Sequence, residues 1–275
     1  DPAGAPAHPL VFLVLGVVTF ALHMTAVNVM LGTLGLAAVG SFSSNPYWQR
    51  LSGALGTTAK AAVAVAIVLG VAPLLFVQVI YDPFWYTSNV ISAWWLLGFL
   101  AVLTVAYLAL YRWYGLNHSY ADDGTPSSRP GAPRGGFWLA GSLLLMIVCG
   151  AIMHAVVNQS LQPAEWMNWY APGGTIVPYG RELHSLTIGR LAFFLLLSLP
   201  VTAAWLFGMR RYLLSSGETD YGYVDFIEGL AHAMAKAGAV LVLAAGALWM
   251  AALPENMEWF RTSVWMWIAL VPIAY

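Results

Sequence analysis

The sequence predicts an all-α protein, a polytopic bundle of about seven transmembrane helices. Hydrophobic residues make up 60% of the chain, charged residues make up 8%, and the mean hydropathy is +0.73. Soluble domains contain about 25% charged residues. The apolar residues also form runs of about 20 or more, which is long enough to cross a bilayer as a helix. We expect a single membrane domain over residues 1–275.

Seven hydrophobic segments follow one another along the chain. They are Leu10–Gly40, Leu55–Ile80, Val90–Tyr114, Phe137–Val157, Leu183–Leu214, Phe226–Leu253 and Thr262–Tyr275. The last has only about 14 residues, too few to span a bilayer, so we expect the natural protein to continue beyond Tyr275. The chain starts at Asp1 without a methionine, which fits a mature end left by signal cleavage or an incomplete record.

Arginine is distributed unevenly between the two sets of loops. The loops after the first, third and fifth segments carry most of it, at Arg50, Arg112, Arg129, Arg134, Arg210 and Arg211. The opposite loops carry only Arg181 and Arg261. Because loops rich in Lys and Arg stay on the cytoplasmic side, the N-terminus is predicted to lie outside.

The two longest connections differ in composition. Asn117–Gly136 is rich in Gly, Pro and Asp, which is typical of a flexible linker. Asn158–Glu182 instead holds four aromatic residues, Trp166, Trp169, Tyr170 and Tyr179. We expect this second loop to fold against the membrane surface. It is either an interfacial aromatic belt or a lid over a cofactor or quinone pocket.

Four histidines fall within the predicted spans, in segments one, four, five and six: His23, His154, His184 and His232. An ionisable residue inside a membrane helix is costly and usually has a function. Haem iron takes axial imidazoles, which the facing helices of a bundle supply. The four histidines therefore predict b-type haem, and simple hydrogen bonding to a neighbouring helix is the alternative. The chain has one cysteine and no CxxCH motif, which excludes covalently attached c-type haem.

Depth along the helices, at about 1.5 Å per residue from the arginine-rich end, separates these histidines. His23 and His154 lie at about 27 Å and about 30 Å, in the same outer half. His184 lies at about 39 Å, near the outer surface, and His232 lies alone at about 10 Å. We predict at least one b-type haem in the outer half, with His23 as one ligand and either His154 or His184 as the other.

Small and charged residues near these histidines fit a cofactor. Gly16 lies one heptad before His23 on the same helix face, and Gly150 lies one turn before His154. Both leave room for a flat ring, although Gly16 would also suit helix packing. Arg190, about 1.5 turns inside His184, is expected to meet a haem propionate.

A polar strip occurs in the sixth segment. Glu228, His232 and Lys236 repeat at every fourth residue, so they share one helix face. Charged side chains in membrane helices usually face the bundle interior, which predicts a proton path or a contact to propionate and quinone. The alternative is an ion pair between Glu228 and Lys236 near the membrane interface.

Polar residues also end the second segment, at Gln78, Tyr81 and Asp82, in the connection that leads to the third. Aromatic residues surround them. A quinone head group takes hydrogen bonds within an apolar, aromatic slot, so we predict a quinone site here. An ordinary aromatic-rich turn is the alternative.

Several stretches resemble a group of bacterial membrane proteins associated with multihaem c-type cytochromes and respiratory chains. They are Leu22–Met24 with Asn28 and Gly32, Val71–Thr87, Pro163–Trp166 with Gly173–Gly174, and Arg181–His184. The resemblance implies a quinone-interacting haem b subunit of the bacterial inner membrane, with the N-terminus periplasmic. Its recurrent first-helix and fifth-helix histidines would map onto His23 and His184.

The early histidine also gives a distant likeness to cytochrome bd oxidase subunit I. This chain has no clear axial-methionine pattern and no oxygen-site acid pair, so we predict no oxygen reduction.

We therefore predict a membrane-embedded cytochrome b that transfers electrons between the quinone pool and a periplasmic redox partner. It would act within a respiratory complex, as a quinone or quinol oxidoreductase subunit. Haem b and quinone would be its cofactors. Membrane lipid and a c-type cytochrome or other redox subunits would be its partners, and we expect no nucleic acid. Two alternatives are a transporter or proton-conducting bundle without haem, and a structural anchor subunit.

Overall fold

The structure is a computed structural model that describes residues 7–120, 126–128, 132–177, 180–253 and 263. The chain divides into two compact units, Asp1–Leu186 and Thr187–Tyr275. Both are helical, which confirms the predicted all-α bundle. Within the described residues, six helices are long and apolar enough to cross a membrane. The seventh predicted segment, Thr262–Tyr275, lies outside the described residues except for residue 263.

The first unit contains four long helices and several short elements. The long helices are α1 (Pro9–Ser41), α2 (Pro46–Ile91), α3 (Ala93–Asn117) and α4 (Gly136–Ser160). A small antiparallel hairpin, β1 (His118–Tyr120) and β2 (Pro126–Ser128), lies within the predicted linker between α3 and α4. The aromatic loop after α4 contains α5 (Trp166–Tyr170), with 3-10 turns at Pro163–Glu165 and Pro172–Gly174.

The two first helices begin at sequence signals for a helix start. Proline is the first residue of both α1 and α2, where its missing N–H would have no helical partner in any case. The preceding residue caps each helix. His8 accepts a hydrogen bond from the amide of Leu10, and Asn45 accepts one from the amide of Tyr47 at 2.8 Å.

The connection predicted between the second and third segments is wrong, because these residues are helical. α2 continues to Ile91 with a single break at Tyr81, where φ is −123° and ψ is 30°. Pro83 lies in the first turn after this break, where a missing N–H costs no helical bond. The helix therefore resumes, and only Ser92 separates it from α3.

Buried serines join the helices of the first unit. Ser52 of α2 donates to the carbonyl of Ala37 at 2.6 Å, and Ser142 of α4 donates to the carbonyl of Ala106 at 2.8 Å. Ser88 donates to the carbonyl of Val156. All three serines are completely buried. A short hydroxyl side chain lets two helices approach closely and still satisfies its own polar atom.

The second unit contains α6 (Ile188–Leu196), α7 (Ser198–Ser215) and α8 (Tyr221–Ala251). The helix predicted from Leu183 starts instead at Ile188. His184 therefore lies before the helix and not in it, which corrects the prediction of a histidine within a fifth span. Hydrogen bonds from α3 and α4 hold Arg181–Ser185 in a non-helical conformation.

His118 is a buried histidine at the junction between α3 and β1. The ring of His118 stacks on the ring of Tyr114, with centroids 3.9 Å apart and an interplanar angle of 12°. Its Nδ1 donates to the carbonyl of Tyr114 at 3.1 Å, and its Nε2 lies 3.3 Å from the hydroxyl of Thr57. Burial lowers the pKa of His118 from 6.5; the bond to Tyr114 opposes this, and the charge of Lys60 adds to it.

This lowered pKa predicts a loss of stability in acid. Below pH 6.5 the unfolded chain takes up a proton on His118 more readily than the folded chain, so protonation favours unfolding. The Tm of the detergent-solubilised protein should fall between about pH 7.5 and about pH 5.5. His118→Gln should reduce that fall, because it removes the titrating group. An equal fall in both proteins would contradict the assignment.

Candidate functional site

His23 lies in α1 with its side chain turned towards α2. Its Nδ1 is 2.9 Å from the carbonyl oxygen of Ala66. A carbonyl oxygen only accepts hydrogen bonds, so Nδ1 carries the proton and Nε2 carries the lone pair. Within the described part of the chain, no group hydrogen-bonds to Nε2.

Gly70 fixes the ring position of His23. A Cβ at Gly70 would lie 2.9 Å from Cε1 and 3.0 Å from Nδ1 of His23, so only glycine leaves room for the imidazole against α2. The ring is half-buried and its tautomer is set by the backbone of a neighbouring helix. Metal-binding histidines almost always have this arrangement, in which one ring nitrogen donates to a carbonyl and the other is the ligand.

His154 lies at nearly the same height as His23. Gly35 of α1 faces Leu143 of α4, and Gly136 of α4 faces Ser41, so the two helices are antiparallel. Counting from Gly35 back to His23 and from Leu143 forward to His154 gives the two histidines a height difference of about 1.5 Å. This agrees with the estimate from the sequence. Gly150, one turn before His154, has open space where a Cβ would be.

His184 lies beyond the end of α4 in the non-helical stretch. Its ring stacks on the indole of Trp169, with centroids 5.0 Å apart and an interplanar angle of 3°. Its Nε2 is 3.9 Å from a carboxylate oxygen of Glu182, which is largely exposed. Burial lowers the pKa of His184 from its usual 6.5, and the Glu182 charge partly offsets that effect. Burial therefore favours the neutral form of this imidazole.

A buried glutamine holds this histidine in place, and the sequence did not predict it. Gln159 is the penultimate residue of α4 and is completely buried. Its Oε1 accepts from the amide of His184 at 2.8 Å and lies 3.1 Å from the hydroxyl of Ser92, whose single proton is shared with the nearer carbonyl of Glu182. Its Nε2 donates to the carbonyl of Ser88 at 3.3 Å. One side chain thus connects α2, α3, α4 and the stretch with His184. The sequence feature that could have indicated this role is a polar residue near the end of an apolar span.

The residue after His184 adopts an uncommon backbone conformation. Ser185 has φ of 57°, and it is the one non-glycine residue with positive φ in the described part of the chain. Its carbonyl accepts a hydrogen bond from Asn158 at 2.8 Å, and the carbonyl of Glu182 accepts one from Ser92 at 2.7 Å. Non-glycine residues with positive φ persist only where the surroundings hold them, and they cluster at functional sites.

The aromatic loop packs onto the end of the first unit where α2 meets α3 and α4 ends. Trp166 donates its indole N–H to the carbonyl of Gln159 at 2.9 Å, and its ring meets Phe84 of α2 edge-on at 5.9 Å. Trp95 of α3 donates to the carbonyl of Arg181 at 2.8 Å. These contacts cover the end of the first unit and are compatible with either a lid or an aromatic belt. Tyr179, predicted in the same loop, lies outside the described residues.

The predicted quinone residues lie at the break in α2. Tyr81 has the non-helical dihedral angles, and Gln78 and Asp82 lie on either side of it. All three are exposed. They share α2 with Phe84, which meets the aromatic loop. The structure thus brings the three polar residues to one short segment beside that loop.

In the second unit, the predicted ion pair between Glu228 and Lys236 is wrong. Glu228 of α8 pairs with Arg210 of α7 at 2.9 Å, and Lys236 is exposed. His232 is exposed, donates from Nδ1 to the carbonyl of Glu228 one turn earlier, and meets Phe207 edge-on at 5.0 Å. The strip therefore includes a charge pair between two helices.

Two further predicted residues have packing contacts. A Cβ on Gly16 would lie 3.5 Å from Cβ of Phe76, so Gly16 lies where α1 and α2 pack together. Arg190 of α6 is half-buried, with its guanidinium 5.7 Å from the ring of Phe194 and 5.8 Å from that of Trp249. Both rings belong to the second unit, as Arg190 does.

No group of three or more His, Cys, Asp or Glu side chains within the described ranges could hold a bare metal ion. Haem needs only one or two imidazoles from the protein. Comparison with models of protein families, with curated proteins and with solved structures finds no match to this chain. The class that the fold defines is therefore an integral membrane helical bundle, and its function has to be argued from its residues.

Gln159→Leu should release the stretch that contains His184. The change leaves the amide of His184 without its acceptor, at a cost of about 1–3 kcal/mol, whereas the hydroxyl of Ser92 keeps the carbonyl of Glu182 at 2.7 Å. Hydrogen exchange at the His184 amide should become at least about tenfold faster, since about 1.4 kcal/mol corresponds to a factor of ten. Gln162→Leu, three residues later, is the matched control. Equal exchange in the two variants would rule out the role of Gln159.

Proposed function

We propose that the protein is a membrane-embedded b-type cytochrome that transfers electrons between the quinone pool and a periplasmic redox partner, within a respiratory complex. The observation that carries the proposal is the hydrogen bond from His23 Nδ1 to the carbonyl of Ala66. It fixes the imidazole in the tautomer that offers its other nitrogen as a ligand. Haem would supply reversible one-electron transfer, and the chain would supply ligation and orientation.

The residues present fit a haem ligand set. His23 is held by Ala66 and Gly70 in one rotational position, which lowers the entropy cost of binding a metal centre. His154 lies at the same height on another helix, and Gly150 beside it leaves open space. His184 is also fixed in orientation, by Trp169 and Gln159. Either of these two histidines can serve as the second axial ligand in this proposal.

The remaining assignments stay predictions of the same proposal. Gly16 and Arg190 would contact the haem ring and a propionate, and His232 would ligate iron only if a second haem is bound. Gln78, Tyr81 and Asp82 would bind the quinone head group beside the aromatic loop. Glu228 and Lys236 would serve as part of a proton path. Each follows from residue type and position in the chain.

The orientation belongs to the proposal as well. We place the N-terminus and the loop Asn158–Glu182 in the periplasm of a bacterium and the protein in its inner membrane. The support is the excess of arginine in the loops after the first, third and fifth segments. His23, His154 and His184 would then lie in the outer half, on the side of a periplasmic electron-transfer partner.

A transporter or proton-conducting bundle without haem has less support. Such a function would use the strip on α8, but Glu228 is paired with Arg210 and His232 is exposed. An anchor subunit would give the histidines packing roles only. The arrangement of His23 favours a ligand, because a packing histidine gains nothing from a second nitrogen that bonds to no described group.

His23→Ala should remove the haem and leave a folded bundle. The purified protein should lose the reduced-minus-oxidised difference spectrum and the pyridine haemochrome signal of haem b, while the helical content by circular dichroism stays the same. His154→Ala and His184→Ala should differ, because only the true second ligand abolishes the low-spin spectrum.

His8→Asn is the control for this experiment. His8 is exposed and caps α1, and asparagine is also a good cap, so the haem content should not change. Full haem content and an unchanged spectrum in His23→Ala would refute the cytochrome assignment. A flat spectrum in the unmodified protein would favour the transporter or anchor function.

Gln78→Ala and Tyr81→Phe should each slow quinol oxidation. Both remove a hydrogen-bonding group at the break in α2 and leave the haem ligands in place. The expected result is a higher KM for quinol, because loss of a hydrogen bond to a bound head group costs about 0.5–1.5 kcal/mol. Ser44, exposed just before the start of α2, offers a control as Ser44→Ala. Unchanged turnover in both test variants would place the quinone elsewhere.

A further inference from the structure

A lysine lies over aromatic rings at the end of the first unit that is opposite to Gln159. Nζ of Lys60, on α2, is 3.5 Å from the ring centroid of Tyr114 and 5.4 Å from that of Tyr111, both on α3. The face of a tyrosine ring attracts a cation. The two rings therefore hold the ammonium group at a defined point between α2 and α3.

The rings that hold Lys60 are themselves fixed. His118 stacks on Tyr114 at 3.9 Å, and the hydroxyl of Thr57 lies 3.3 Å from that histidine. The hydroxyls of Tyr107 and Tyr111 share a hydrogen bond of 2.8 Å. The two hydroxyls have one proton each, and the bond between them uses only one of these protons. The other O–H can therefore donate to a further group. The site thus has a positioned cation and a positioned O–H donor beside it.

Lys60 has no carboxylate partner in the part of the chain that the structure describes. Aromatic rings attract its charge but offer no strong acceptor for its three N–H donors. Arg112 follows Tyr111 and is exposed, so it adds a second positive charge at this level. The chemistry that complements this arrangement is an anion with several acceptor oxygens, such as a phosphate diester.

The height of the site matches a membrane interface. From Ser92, at the outer end of α3, the helix rises about 33 Å to Tyr114, close to the thickness of a hydrocarbon core of about 30 Å. Between this site and the middle of the span, α2 and α3 carry exposed apolar side chains. Leu108 and Val105 of α3 are 61% and 54% exposed, and Val68 of α2 is 71% exposed. Lipid acyl chains can pack on this apolar surface, whereas an inorganic phosphate ion would make no contact with it.

We propose that Lys60 and Tyr111 bind the phosphate of an anionic phospholipid, with its acyl chains along the exposed apolar side chains of α2 and α3. The arginine-rich loops assign this end to the cytoplasmic leaflet, where anionic lipids attract basic groups. The inference is independent of haem and quinone, because it uses no residue of the proposed electron-transfer site.

The test measures Tm in a neutral detergent with three additives: phosphatidylglycerol, phosphatidylcholine and inorganic phosphate. A ligand that binds only the folded state raises Tm with its concentration. Phosphatidylglycerol should raise Tm more than the other two additives do. Lys60→Met should lose most of this extra shift, and Lys60→Arg should keep it. Lys236→Met, at an exposed lysine of α8, is the matched control for this measurement and should keep the full extra Tm shift with phosphatidylglycerol.

Three results would overturn the proposal. The first is an equal shift with phosphatidylcholine, which would mean that the head-group charge is not recognised. The second is an equal shift with inorganic phosphate, which would identify a free anion as the ligand. The third is an undiminished response to phosphatidylglycerol in Lys60→Met. If that variant does not fold, Tyr111→Leu takes its place, since Tyr111 is 40% exposed and its loss leaves the core unchanged.

Discussion

The absence of hydrogen-bonding solvent in a bilayer is the constraint that shapes the first unit. Each backbone polar group must bond inside its own helix, so contacts between helices come from short side chains that donate to carbonyls of the facing helix. Ser52, Ser88 and Ser142 all do this. His23 bonds to Ala66 in the same way, but it differs from the serines because its second nitrogen remains available as a ligand.

The fold class and the positions of four of the six helical spans in the described chain could be predicted from apolar run lengths alone, the exceptions being α2 and the span that begins at Ile188. The errors have a common cause, which is that tertiary contacts decided the local conformation. Asp82 and Pro83 are turn residues by propensity, yet the helix resumes there because a break at Tyr81 places the proline in a first turn. Conversely, the sequence predicts a helix from Leu183, but residues 182 and 184 are bonded to the side chains of Ser92, between α2 and α3, and Gln159 of α4.

The candidate site could be predicted only in part. His23 is the one ionisable residue in its apolar run, so sequence alone identifies it. The partners Ala66 and Gly70 carry no chemical signal and depend on the register of two helices. The ion-pair partner of Glu228 could not be predicted from the sequence for the same reason. Its partner Arg210 lies on another helix, whereas Lys236 is two turns away, about 12 Å, which is too far for an ion pair.

The contacts that hold His184 differ in kind from the serine contacts that pack the helices of the first unit. The serine contacts between helices are needed for packing, and any bundle of this length would use similar ones. The bonds of Gln159 to His184, and of Asn158 to the residue after it, hold a short non-helical stretch in a conformation with positive φ. Such a conformation is costly and adds nothing to helix packing. The same bonds hold the imidazole of His184 at one position, as the proposed ligation of haem would require.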